Sequence, residues 1–244
     1  MRSIDDILKF RGDISPFLVH LTKQTEEMTA AQTLSKIIRD GRIAPGAALV
    51  SDLRFGGVNI PVQDRPRFFG ATCFTETPLS EVHCLFDISY RTVNLESYGL
   101  VLLKKNLLAQ EVSPVFYLNN EEADKDLLAQ TLYQLAHTNP AIAEKLLPLF
   151  CVFGQKLRSP LAALPPVGTV DFRWEREWRQ PFYRGGVTFT EEDIFVGLCP
   201  HEEIADFERA LPNVKFIDPL RPLKWYATEL IHARQRLNLS TSVV

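Results

Sequence analysis

At 244 residues, with 45% hydrophobic and 23% charged side chains and a formal net charge of −3, the chain has the make-up of an ordinary globular protein. That balance excludes a generally basic nucleic-acid or membrane surface, and no apolar run is long enough to cross a bilayer. The first ten residues, MRSIDDILKF, lack the apolar core of a signal peptide, so a cytoplasmic protein without a membrane partner is expected.

Phe17 to Leu21 (FLVHL) is a short apolar run of β character. His20 lies inside it and Thr22 follows two positions on, so both point to one side of a strand. A helix is predicted next. Thr29 and Gln32 have the spacing of a capping box, Leu34, Ile37 and Ile38 form the apolar stripe, and Gly41 can stop the helix. Residues 44–70 carry prolines, the pair Gly56-Gly57 and scattered arginines, and read as a long loop or small hairpin. Ala71 to Thr75 is strand-like. Pro78 is placed to open a helix with Leu79, Val82, Leu85 and Phe86 on one side.

Tyr98 to Leu103 and Pro114 to Leu118 are two further apolar strands, joined by a compact connection at Lys104 to Glu111. Asn120 can cap a helix that runs to about His137. Asn139 and Pro140 start another, with Ile142, Leu146 and Leu149 expected inward. Residues 154–170 are a proline-rich linker. Asp193 to Leu198 reads as a buried strand, Pro200 to Leu211 as a helix and Val214 to Ile217 as a short strand. Lys224 to Arg236 is open between strand and helix, and residues 240–244 are expected to fray. Many short strands among four or five helices, without βαβ alternation, predict a single α+β domain around a bent or split sheet.

The stretch Asp171 to Arg179 (DFRWEREWR) alternates aromatic and charged residues. As a continuous strand it places Phe172, Trp174 and Trp178 on one face and Arg173, Glu175, Glu177 and Arg179 on the other. One reading is a solvated face whose ion pairs contribute little. The other is a site with carboxylates held on a rigid strand. On that reading the aromatic face anchors the strand, and losing a carboxylate leaves the fold intact.

Several chemistries are missing from the sequence. There is no GxG for a dinucleotide or phosphate cradle, and no GxSxG, HExxH or kinase signature. Cys73, Cys84, Cys151 and Cys199 form no CxxC pair and are expected as buried free thiols. Cys73, His83 and Cys84 have no second pair of ligands at zinc-like spacing, so no metal is expected.

Five segments carry a resemblance: FLVHLTK at Phe17–Lys23 with its helix and Gly41, CFTETPLSE at Cys73–Glu81, YGLVLLKKN at Tyr98–Asn106, PVFYLNN at Pro114–Asn120, and EREWR at Glu175–Arg179. As an ordered set they resemble the AbiGi-type abortive-infection family over about Phe17 to Asp218. That resemblance implies phage defence and a non-enzymatic antitoxin role against a partner nucleotidyltransferase toxin. The layout is also similar to the ADP-ribosyltransferase superfamily. That likeness implies NAD as substrate, with His20 as the first-strand element and Phe74-Thr75 as the middle element. Thr22 stands beside His20, and Tyr98 or Tyr90 takes the place of the tyrosine. Glu177 is implied as the catalytic carboxylate and Glu175 as its accessory, with a protein or nucleic-acid acceptor. The middle element here lacks the usual Ser-Thr-Ser. The chemistry suits such residues, because breaking the nicotinamide–ribose bond develops oxocarbenium character that a carboxylate stabilises. Arg42, Arg54, Arg65 and Arg67 are candidates to pair a pyrophosphate. Two functions follow as expectations: an ADP-ribosyltransferase-like enzyme, or a binding protein of antitoxin type on the same scaffold.

Overall fold

The computed structural model describes residues 14–46, 60–86, 88, 94–119, 127–153 and 173–239. The strands, in chain order, are β1 (Phe17–Leu21), β2 (Arg42–Ile43), β3 (Ala71–Thr75), β4 (Gly99–Leu103), β5 (Ser113–Pro114), β6 (Phe116–Asn119), β7 (Phe150–Phe153), β8 (Glu177–Pro181), β9 (Val187–Thr188), β10 (Ile194–Leu198) and β11 (Phe216–Ile217). With helices interspersed irregularly and a sheet of mixed direction, the chain is α+β. It divides into two compact units, each assembled from separated segments.

The first unit takes residues 1–43, 74–110 and 188–244. Its strands run in the order β11-β10-β4-β1, and β1 pairs next with the end of β3, Val19 opposite Thr75. β1 lies antiparallel to β4 along its whole length, from Phe17 opposite Leu103 to Leu21 opposite Gly99. β10 is antiparallel to β4 with a bulge between Ile194 and Val196, and parallel to β11. Period-two alternation sorts the residues. Phe17, Val19, Leu21, Val101, Leu103 and Val196 share one core with Val82, Leu85, Tyr226 and Ala233. His20 and its cross-strand partner Leu100 belong to the other face.

Helix Ala30–Asp40 forms for the reasons its sequence announces. Thr29 and Gln32 make the reciprocal capping box, Leu34 and Ile37 are buried, and Gly41 ends it at φ 58°. Helix Ala227–Arg236 resolves the open reading of the C-terminal stretch. Arg236 fastens it to the start of β10 and the turn before it, donating to the carbonyls of Glu191 at 2.7 Å and Phe195 at 3.2 Å, and also to that of Ile194. The connection after β4 is a one-turn helix, Lys104–Leu108, whose Lys104 pairs with buried Glu76.

The second unit takes residues 44–73 and 111–187. Here β5 pairs antiparallel with β8, Ser113 opposite Arg179, and β6 runs parallel to β7 from Phe116 opposite Phe150 to Asn119 opposite Phe153. The expected strand over 114–118 is broken at Val115, whose N–H bonds the carbonyl of Glu177 at 3.1 Å instead. Asn139 caps helix Pro140–Leu146 by accepting from Ile142 N, as predicted, but Ile142 itself is exposed. Ala143 and Leu147 turn inward instead, against Phe68, Phe69 and Ala136. Within the expected loop, Val62–Asp64 and Arg65–Phe69 are helical, and residues 47–59 lie outside the described residues. So do the linker at 154–170 and the tail at 240–244. Among the described residues no helix is long and apolar enough to cross a membrane.

Candidate functional site

In the first unit, the β1–β4 register fixes which side chains meet. His20 pairs with Leu100, and Thr22 N–H donates to the carbonyl of Tyr98 at 2.8 Å just beyond the strand. Paired residues in a sheet point to the same side. His20, Thr22 and Tyr98 therefore share one face. Val19 pairs with Thr75, so Phe74 falls on the His20 face and Thr75 on the opposite one. The Phe74 ring meets the His20 imidazole edge-on with centroids 5.7 Å apart. The structure thus brings together His20, Thr22, Phe74 and Tyr98. Thr75 lies on the other face, buried, its hydroxyl 2.7 Å from that of Thr77.

These side chains differ in how far they are committed. Phe74 and Thr22 are buried, and the Thr22 hydroxyl donates to the carbonyl of Ala30 at 2.9 Å, with the Tyr98 carbonyl at 3.2 Å. Thr22 therefore ties the end of β1 to the start of helix Ala30–Asp40. His20 and Tyr98 are half-buried. The Tyr98 hydroxyl donates to Glu203 Oε1 at 2.6 Å, and its ring lies 6.2 Å from that of Phe207. Burial, and then the hydrogen bond and charge of Glu203, hold the Tyr98 phenol proton above its usual range. Phe207 stacks on Phe216 at 5.3 Å, and Phe216 lies over Gly197 in the row His20–Leu100–Gly197–Phe216 across four strands. A Cβ on Gly197 would meet the Phe216 ring at 2.1 Å, and one on Gly99 would meet the His20 carbonyl oxygen at 2.2 Å. Both glycines are required by close approach. Glu203 was not legible as a site residue, because His201-Glu202-Glu203 reads as an ordinary acidic helix start.

Glu175 and Glu177 belong to the second unit, and the expected continuous strand across them is not formed. Arg173–Glu175 is a 3₁₀ turn, Arg176 takes a left-handed φ of 46°, and β8 begins only at Glu177. The alternation is broken at that turn. Trp174 is exposed and Trp178 half-buried, and Phe172 lies outside the described residues. A non-glycine residue in the left-handed region carries backbone strain. Contacts on the strand side hold the turn: Glu177 N–H donates to the Tyr117 hydroxyl at 2.7 Å.

Glu177 and Arg179 are two residues apart on β8 and so share a face. Arg179 donates from Nε to Oε1 at 2.8 Å and from Nη2 to Oε2 at 2.7 Å, and its Nη1 donates to the carbonyls of Pro148 and Phe150 at 2.8 and 3.1 Å. Burial alone would lower the guanidinium pKa, but the Glu177 carboxylate outweighs it and drives the pKa up. Tyr117 is pushed up to about 12, chiefly by burial and further by the Glu177 charge. The Cys73 thiol is pushed up by burial and then by Glu177. The Cys151 thiol is pushed up to about 12, again by burial first. The cluster is a neutralised, hydrogen-bonded polar core that tolerates burial because its charges are paired.

Of the four arginines considered for a pyrophosphate, Arg42 is exposed and Arg54 lies outside the described residues. Arg65 Nε donates to the Ile60 carbonyl at 3.4 Å, and Arg67 pairs with Glu144. Tyr90 also lies outside the described residues. Among the described residues no group of three or more His, Cys, Asp or Glu side chains is placed to hold a metal ion. In comparisons with known proteins, no family model, no curated protein and no solved structure matches this chain.

Proposed function

We propose that this chain is an ADP-ribosyltransferase-like protein of a phage-defence system that binds NAD on the His20 face of its first unit. The observation that carries the reading is the convergence of His20, Phe74 and Tyr98, drawn from three separate stretches, on one face of one sheet. A half-buried imidazole beside an aromatic ring and a phenol offers hydrogen bonding and stacking to a nucleotide. In the reaction, the bond between nicotinamide and ribose breaks, nicotinamide leaves, and an acceptor nucleophile takes the ribose carbon and loses its proton. The resemblance names Glu177 as the carboxylate of that chemistry and Glu175 as its accessory; the NAD-binding reading rests on the residues of the first unit alone. The α+β architecture supports the reading at the level of fold class, and the ADP-ribosyltransferase fold itself is part of the proposal.

One observation favours a second reading. Both carboxylate oxygens of Glu177 are taken by Arg179 in a buried bidentate pair, which suits a structural role better than contact with a ribose. On this reading the chain is a non-enzymatic binding protein, the antitoxin partner of a nucleotidyltransferase toxin. Calorimetry with NAD, followed by an assay for released nicotinamide, separates the two. Heat and release support the enzyme. At millimolar NAD, absence of both, together with capture of a nucleotidyltransferase, overturns it in favour of the antitoxin.

A further inference from the structure

Tyr98 stands immediately before β4, and Glu203 ends the 3₁₀ turn His201–Glu203, more than a hundred residues away. The 2.6 Å bond between them is short, as hydrogen bonds to an ionised acceptor are. The other end of Tyr98 is fixed as well, since its carbonyl accepts from Thr22 N–H. Phe207 flanks the ring. A phenol has one hydrogen to give. With that hydrogen committed to Glu203, the phenol oxygen can only accept.

We infer that Glu203 makes Tyr98 an obligate hydrogen-bond acceptor on the His20 face, and that the two residues together select a ligand bearing a vicinal diol, as ribose does. Two O–H donors meet two acceptors, the phenol oxygen and the carboxylate. A ligand group that only accepts finds no hydrogen there. The inference rests on the nucleotide reading above and adds to it the group that is recognised and the residue that sets the polarity of the contact. The raised proton affinity of the phenol agrees with it, since Tyr98 stays protonated and Glu203 keeps its donor across the physiological range.

The test is a calorimetric double-mutant cycle on the full chain with NAD and with ADP-ribose, using Tyr98→Phe, Glu203→Gln and the double variant, with melting temperatures recorded for each. Both substitutions keep side-chain volume at half-buried positions. Each single variant is expected to bind either nucleotide about tenfold more weakly, and the double variant more weakly than either single one but by less than the product, because the hydrogen bond between the two residues couples their contacts. Single variants that bind like the wild type overturn the inference and leave the nucleotide reading standing. So do losses that multiply in the double variant, since they mean independent roles. Weakening with NAD but not with ADP-ribose moves the contact to the nicotinamide and overturns the diol assignment. A wild-type protein that binds neither nucleotide overturns the nucleotide reading itself.

Discussion

Arg179 closes on Glu177, two residues earlier in the same strand, through two parallel N–H to carboxylate bonds of 2.8 and 2.7 Å. Neither side chain is more than about an eighth exposed, at 9% and 12%. Removing one member leaves the other charge buried without its partner, which costs about 3–5 kcal/mol. Glu177→Gln and Arg179→Met are each expected to lose that much in urea denaturation, and the double variant less than their sum. The buried pair argues against the expectation that a carboxylate on this stretch can be removed without effect on the fold. A Glu177→Gln protein with wild-type stability would show that the pair is not structural.

Thr22 gives a second test of role. Its hydroxyl serves the Ala30 and Tyr98 carbonyls. Thr22→Val keeps the shape and removes the donor, so a stability loss of about 1 kcal/mol is expected, with no change in NAD affinity. A large loss of affinity at unchanged melting temperature would return Thr22 to the ligand.

Gly197 and Phe216 occupy one volume. Gly197→Ala drives a methyl into the Phe216 ring and is expected to cost about 1–3 kcal/mol, the range for overpacking a core. Phe216→Leu introduced on top should recover part of it. If the second change only adds to the loss, the clash is relieved some other way.

The thiols respond to alkali in a defined direction. Cys151 and Cys199 each rise from 9.0 to about 12 in the folded chain, with burial the largest cause. A folded-state pKa above the unfolded one gives a contribution fully present below about pH 9 and lost as pH rises toward 12, because the unfolded chain gives up its proton first. Denaturation midpoints are expected to be flat to about pH 9 and then to fall, with a shallower fall in a Cys151→Ala/Cys199→Ala variant. At pH 8 a thiol reagent should label exposed Cys84 rapidly and buried Cys151 and Cys199 only after unfolding.

Much of the scaffold was legible because it rests on local chemistry. The runs at 17–21, 71–75, 99–103 and 194–198 are short and apolar, and they form β1, β3, β4 and β10. Thr29 with Gln32 caps one helix through reciprocal side-chain bonds, and Asn139, just ahead of Pro140, caps another by accepting from Ile142 N–H. The stretch around Glu177 misled because alternation was counted across nine residues as though the backbone were extended throughout. The turn at Arg176 uses the left-handed region without a glycine or asparagine to announce it. Phe74-Thr75 reads as one element in the sequence, but adjacent strand residues point to opposite faces, and the Val19 pairing puts Thr75 on the face opposite His20. Glu203 reaches Tyr98 through tertiary packing that no local pattern encodes.

The segmented build of the first unit constrains the order in which it can be made. β4 is flanked by β1 on one side and β10 on the other, and β10 is roughly ninety residues further along the chain. During synthesis, β1, β3 and β4 are available long before β10 emerges, and at about 5–20 residues per second the gap lasts several seconds. Throughout that interval the Gly99–Leu103 edge stands with unpaired N–H and C=O groups and the apolar side chains of GLVLL. An open apolar edge is a template for pairing with another chain. Nascent chains paused between β4 and β10 are therefore the species most exposed to misassembly, and expression at low temperature or with a holdase chaperone should raise the soluble yield most for variants that weaken β10.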